Sequence, residues 1–148
     1  MYEIERKFLV DMNLVPLPAG KKSIKQGYIF NEDKGVLRIR TSDIDAFITV
    51  KGKNEGGKCL EFEYPIPFYD AVQMLKRLAN AYIEKDRYLI EYEGHTWEVD
   101  VFKGNNKGLV IAEVELESID EEVKLPDWVR REVTGIEKYY NSELVRNV

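Results

Sequence analysis

The sequence predicts a mainly β (α+β) protein: a closed eight-stranded antiparallel β-barrel tunnel with helices packed outside. Three observations predict it. Polar and apolar residues alternate over about eight separate stretches, the period of strands rather than helices. The links between neighbouring stretches are short, as at 31–35 and 93–95, which makes the neighbours antiparallel. The polar faces carry charges mostly of one sign at adjacent same-face positions, whereas the apolar faces are rich in aromatic and branched residues and few helices are available to cover them. A barrel with its charges inside and its apolar faces outside reconciles these patterns, and eight strands is a size at which a sheet closes.

Residues 2–10 set Glu3, Glu5 and Lys7 against Ile4, Phe8 and Val10. Over 24–30, Ile24, Tyr28 and Phe30 share a parity with Gln26. Residues 35–42 put Arg38 and Arg40 opposite Leu37 and Ile39, and 45–51 set Phe47, Thr49 and Lys51 against Ile48 and Val50. Over 60–66, Glu61 and Glu63 oppose Leu60, Phe62 and Tyr64. Behind Pro67, Phe68, Val72, Leu75 and Leu78 recur at helical spacing. Alternation resumes over 82–93, where Lys85 and Arg87 oppose Tyr88, Ile90 and Tyr92. It continues over 95–102, with Glu98 and Asp100 against Trp97, Val99 and Val101. Over 109–117, Glu113, Glu115 and Glu117 oppose Ala112, Val114 and Leu116. The remainder reads as short helices, with Ser118 as an N-cap and Pro126 as a break. No linker-like stretch or repeat divides the chain, so residues 1–148 read as one domain.

The formal net charge of -5 disfavours nonspecific nucleic-acid binding but leaves room for a small anionic substrate in a locally basic pocket. The single cysteine, Cys59, excludes an intramolecular disulfide and a cysteine metal cluster. No apolar run approaches membrane-spanning length, so a cytoplasmic protein without a membrane partner is expected, and a homodimer is compatible with the sequence.

Same-face residues two apart on a strand lie roughly 6–7 Å apart, so their carboxylates can converge on one cation. Glu3/Glu5, Glu61/Glu63 and Glu113/Glu115 are such pairs, and Asp100 stands beside Glu98. Oxygen ligands without a His or Cys cluster suit Mg²⁺ or Mn²⁺. The cations Arg38/Arg40 and Lys85/Arg87 repeat the same spacing, with Lys7 and Lys51 single. Guanidinium forks clamp phosphate oxygens and ammonium groups add point charge. Acids on some strands and bases on others suit a polyphosphate bridged to the protein through a divalent metal.

The motifs that carry these charges are recognisable. Glu3-x-Glu5-x-Lys7 resembles the hallmark of the CYTH superfamily, the triphosphate tunnel metalloenzymes. Gln26-Gly27-Tyr28, Arg38-x-Arg40, Thr49-Val50-Lys51-Gly52, Glu61-x-Glu63, Lys85-x-Arg87, Trp97 to Phe102 and Ala112-Glu113-Val114-Glu115-Leu116 follow in the family's order. Glu132-Val133-Thr134, with Tyr139 and Asn141, is similar to its C-terminal signature. The resemblance implies an eight-stranded tunnel that binds a triphosphate with divalent metal; members include inorganic triphosphatases, thiamine-triphosphatases, RNA triphosphatases and class IV adenylate cyclases. By position it implies Glu3, Glu5, Glu113, Glu115 and Asp100 as metal-site acids. It implies Lys7, Arg38, Arg40, Lys51, Lys85 and Arg87 as phosphate ligands, with Glu61 and Glu63 as tunnel acids. Lys7 and Tyr28 are candidates to position or activate the attacking water. The family pattern Arg-x-Glu-x-Glu departs at Cys59, which removes one tunnel cation; Lys58 has the wrong parity to replace it.

His95 reads as a hairpin residue, and Gly-rich 52–58 as a hairpin loop at the tunnel mouth rather than a phosphate-binding P-loop. Cys59 reads as a lining residue, and Trp128, Tyr139 and Tyr140 as packing between helices and barrel. Metal-dependent hydrolysis of inorganic triphosphate leads, because the short chain favours a simple substrate. Cyclisation of ATP is the alternative within the fold, and a non-enzymatic polyphosphate- or nucleotide-binding module is the alternative of another class.

Overall fold

Nine strands form one antiparallel sheet that curls until its first strand meets its fifth. The computed structural model describes residues 1–147. The strands are β1 (Tyr2–Val10), β2 (Lys22–Glu32), β3 (Gly35–Ser42), β4 (Asp45–Gly52), β5 (Lys58–Pro65), β6 (Tyr82–Tyr92), β7 (His95–Phe102), β8 (Val110–Leu116) and β9 (Val129–Glu132). Their order is β5-β4-β3-β2-β6-β7-β8-β1, and pairing of β1 with β5 closes the ring of eight. The alternation therefore forms the barrel for the reason its charges suggested: Glu3, Glu5, Lys7, Arg38, Arg40, Lys51, Glu61, Glu63, Arg87, Glu113 and Glu115 all face one interior cavity.

The apolar outer faces are covered piecewise. Phe8, Trp97, Val99, Ala112 and Val114 are buried with Trp128, whose ring meets Trp97 edge-on at 5.6 Å between centroids. Helix α1 (Phe68–Arg77) follows Pro67 and lays Ala71 and Leu75 over Ile39 and Ala46. Its acidic first turn and basic last turn suit the helix dipole. A third cluster is internal: Ile83, Phe102 and Ile111 share the inward parity of Lys85, Asp100 and Glu113, and pack with Leu144 and Val145. The interior is thus charged along most of its length and apolar at the end where the C-terminal segment docks.

The region after residue 117 departs from the expected run of short helices. Residues 118–121 form a turn, with Glu121 N–H donating to the Ser118 carbonyl at 3.2 Å, and no helix begins at Ser118. Pro126 precedes β9 rather than breaking a helix, so the sheet has a ninth strand. β9 pairs with the second half of β1, beyond where β5 stops. Helical turns appear only later, at Glu137–Tyr139, in α2 (Asn141–Leu144) and at Val145–Asn147.

Candidate active site

The interior cavity has a volume of about 630 Å³ and receives side chains from every barrel strand except the deeper part of β6 and β7. On the β1–β8 side, register sets Glu5 beside Glu115 and Lys7 beside Glu113. Burial, then repulsion from Glu113 and Glu3, pushes the Glu5 carboxyl well above its usual range. Its neighbour moves the other way: burial opposes ionisation, but Lys7, a hydrogen bond shared with Glu5, and Arg87 hold Glu113 well below. The two carboxyls are thus driven apart, Glu5 towards its protonated form and Glu113 towards its ionised one. Burial, then Glu3 and Glu98, also raises Glu115. Lys7 Nζ stands 3.9 Å from Glu113 Oε1, donates to the Tyr139 carbonyl at 3.3 Å and lies 5.8 Å from the Tyr140 ring centre.

Across the seam where the barrel closes, Lys51 Nζ lies 2.6 Å from Glu3 Oε1 and 3.5 Å from Glu61 Oε2. Glu3 is held below its usual range, because Lys51 outweighs the opposing effect of burial. Cys59 stands beside Glu3 in register and donates its thiol to the Gly52 carbonyl at 3.1 Å. Burial pushes that thiol up, in keeping with a lining role. The 52–58 loop lines the mouth as expected. Gly57 (φ +90) comes so close to β1 that a Cβ there would stand 2.6 Å from the Glu5 carbonyl oxygen.

The arginines form the opposite wall. Arg38 donates to Thr49 Oγ1 at 3.1 Å and to Glu63 at 3.2 Å, but its buried Nε has no partner. Burial, then Arg38 and Arg87, draws Arg40 down to about 10. Gln26, fully buried, accepts from Arg40 Nε at 3.0 Å and donates to the Tyr28 hydroxyl at 3.0 Å. That leaves the Tyr28 proton free to point at the cavity. Gln26 and Thr49 stand in the recognised motifs, yet as neutral residues they carried no charge signal; their shared parity with Tyr28 and Lys51 was the available clue.

Two residues lie apart from the others. Lys85 and Asp100 are wholly buried behind the cavity wall, 2.7 Å apart. Both Asp100 oxygens accept from Arg87, at 2.8 and 2.9 Å, and Lys85 Nζ donates to Asn141 Oδ1 at 3.1 Å. Burial opposes its charge, but Arg87 and Lys85 hold Asp100 below its usual range. In this arrangement Asp100 is engaged by cations of the chain rather than presented to an ion, and Lys85 ties the barrel to α2.

Among the described residues, no three acidic, His or Cys side chains converge as a ready-made ion cage. The donor set nevertheless fits a hard divalent cation: Glu3, Glu5, Glu113 and Glu115 offer only oxygens to one cavity, and mutual repulsion adds to burial in pushing Glu5 up, as acids short of positive charge do. Mg²⁺ is commonly held this way, by few carboxylates completed by phosphate oxygens.

Comparison with known proteins agrees with this geometry. A model of the CYTH domain matches residues 1–144. An inorganic triphosphatase of Acetivibrio thermocellus is 45% identical over 146 residues, 98% of this chain and 94% of the relative. An inorganic triphosphatase of Nitrosomonas europaea is 32% identical over 159 residues, 100% of this chain and 99% of the relative. A crystal structure of an inorganic triphosphatase superposes with a TM-score of 0.66 at 31% identity, covering 97% of this chain and 93% of the other.

Proposed function

The chain belongs to the CYTH domain family, and on that premise we propose that it is a divalent-metal-dependent hydrolase that cleaves inorganic triphosphate to diphosphate and phosphate. One observation carries the reading: the two walls of the cavity lack opposite things. Burial and the neighbouring Glu113 and Glu3 push Glu5 up for want of a cation, while Arg38 keeps an orphaned buried donor and burial, then neighbouring arginines, draws Arg40 down. A metal-bound polyphosphate supplies both. The relatives named as inorganic triphosphatases support the choice of substrate.

Glu3, Glu5, Glu113 and Glu115 would hold Mg²⁺ or Mn²⁺, which when bound neutralises phosphate oxygens and acidifies water. Arg38, Arg40, Arg87 and Lys51 bind the remaining phosphate oxygens and stabilise the charge that spreads over the transferred phosphoryl group. Lys7, fixed by the Tyr139 carbonyl and Glu113, and Tyr28, fixed by Gln26, position the attacking water. Glu61 orients Lys51 and Glu63 orients Arg38. Lys85 and Asp100 act behind this layer as positioning residues, since Asp100 sets the Arg87 fork and Lys85 anchors Asn141. No helix among the described residues is long and apolar enough to cross a membrane. We place the enzyme in the cytoplasm, acting on a small substrate without nucleic acid, from its net charge and single cysteine.

Purified protein incubated with Mg²⁺ or Mn²⁺ and inorganic triphosphate, ATP or thiamine triphosphate tests the proposal. Phosphate and diphosphate should appear from inorganic triphosphate in preference to the others. Cyclic AMP with diphosphate would replace hydrolysis by cyclisation, and tight binding without turnover would make the chain a binding module.

A further inference from the structure

We infer that the outer face of β4 and β5, with the start of β1, is an interface for a second copy of this chain. Thr49, Lys51, Glu61 and Glu63 point into the cavity, so Val50, Leu60, Phe62 and Tyr64 point outward. Register joins them into a continuous apolar surface: Phe30, Leu37, Val50 and Phe62 form one row across four strands, and Tyr2 stands beside Leu60. Elsewhere the barrel's outer face is covered by α1 or by the segment carrying Trp128. Here Leu37 borders the α1 cluster, but among the described residues nothing covers the rest: Tyr2 is 62%, Phe62 42% and Tyr64 58% exposed.

Area and charge identify the occupant. The exposed parts of Tyr2, Phe30, Val50, Leu60, Phe62 and Tyr64, 38% to 62% of each residue, amount to on the order of 500 Å² of mostly apolar surface. A standard interface takes about 800 Å² from each partner, roughly 60% of it apolar, which is the same quantity. The outward positions of β4 and β5 from Ala46 to Val50 and from Leu60 to Tyr64 carry no charge: Lys51, Glu61 and Glu63 face the cavity, and the charges outside it, Asp45 and Lys58, stand at the strand ends. Such a face can meet its own copy about a two-fold axis without burying an unpaired ion. Lys58 at its margin packs its Nζ 4.4 Å from the Tyr2 ring centre. An anionic membrane is the weaker partner, since the chain carries a formal net charge of -5.

The inference rests on the fold alone and is independent of the proposed reaction. Sedimentation velocity over roughly 1 to 100 µM protein should show a species of twice the 17.3 kDa subunit mass. Val50→Lys with Phe62→Lys should weaken its dissociation constant about 100-fold or more. Ile44→Lys, in the exposed turn between β3 and β4, should leave it unchanged. If the double variant fails to fold, as judged by circular dichroism, the exposed Tyr64→Lys replaces it. A wild-type monomer throughout the range overturns the inference. So does a dimer that survives the face variants, or capture of the wild type by phosphatidylserine vesicles in preference to self-association.

Discussion

Two stretches of the tunnel wall carry the same kinds of charge in opposite conditions. On the β6–β7 side, Lys85, Asp100, Arg87 and Glu98 are tied together at 2.7 to 3.0 Å. Asp100 and Glu98, against the opposing effect of burial, hold the Arg87 guanidinium well above its usual value. On the β1–β8 side, Glu5 and Glu113 have Lys7 as their foremost cation, 3.9 Å from Glu113, and Glu5 is pushed towards its neutral form. Paired charge is mostly architecture, satisfied before any ligand arrives, although Arg87 and Glu98 still line the cavity. Unpaired charge is demand, and it marks where the ligand belongs. Arg40, crowded by Arg38 and Arg87, shows the same demand with the sign reversed.

Disrupting each side should therefore fail differently. Asp100→Asn removes the anion that holds two buried cations, and breaking such a pair costs about 3–5 kcal/mol. Thermal unfolding should fall by on the order of 10 °C, with activity lost alongside. A wild-type Tm would remove the architectural assignment. Glu5→Gln should do the reverse, because glutamine resembles the neutral carboxyl that metal-free protein already carries. Its metal-free Tm should stay within about 2 °C of wild type, while metal-dependent turnover drops roughly 100-fold or more. Thermal stabilisation by Mg²⁺ with triphosphate should vanish too. Full activity in this variant would sink the carboxylate assignment. The smallest effect concerns protons.

Burial draws Lys85 down to about 7, against the pull of Asp100. In the unfolded chain the same group titrates near the usual value of about 10.4. Between those values the unfolded chain holds a proton that the folded chain releases, so this group's contribution to stability grows as pH rises from about 7 towards 10. It is lost as pH falls through 7. Lys85→Met should flatten that part of a Tm-against-pH curve, and an unchanged slope would count against it.

Charge parity made the barrel and most of the cavity lining legible, because a strand alternates faces strictly and Glu3-x-Glu5-x-Lys7 cannot point two ways at once. What parity does not encode is pairing. Lys85-x-Arg87 reads like Arg38-x-Arg40, yet only register across β6 and β7 shows Arg87 opposite Asp100. Gln26 was illegible as an orienting residue, since a neutral side chain among Ile24, Tyr28 and Phe30 looks like packing. β9 escaped because four residues, Val129 to Glu132, are too few to show a period, and its pairing partner lies more than a hundred residues earlier. The C-terminal helical turns are likewise too short for periodicity; Asn31, Lys85 and Asn106 fix them through side-chain hydrogen bonds to Ser142, Asn141 and Leu144.

The ring is closed by little backbone. β1 and β5 share only the register pairs from Tyr2 to Ile4, whereas β3 and β4 pair from Gly35 to Ser42. The Lys51–Glu3 ion pair crosses that short junction, and the Glu5 N–H to Gly57 carbonyl bond of 2.9 Å extends it. These strands lie more than fifty residues apart in sequence, so their meeting carries a loop-closure cost that few backbone pairs offset, and it belongs late in folding. A ligand that binds Glu3 and Glu5 on one lip and Lys51 on the other acts as a clasp. It binds the zipped ring and not the open one, and so draws the chain towards closure by mass action.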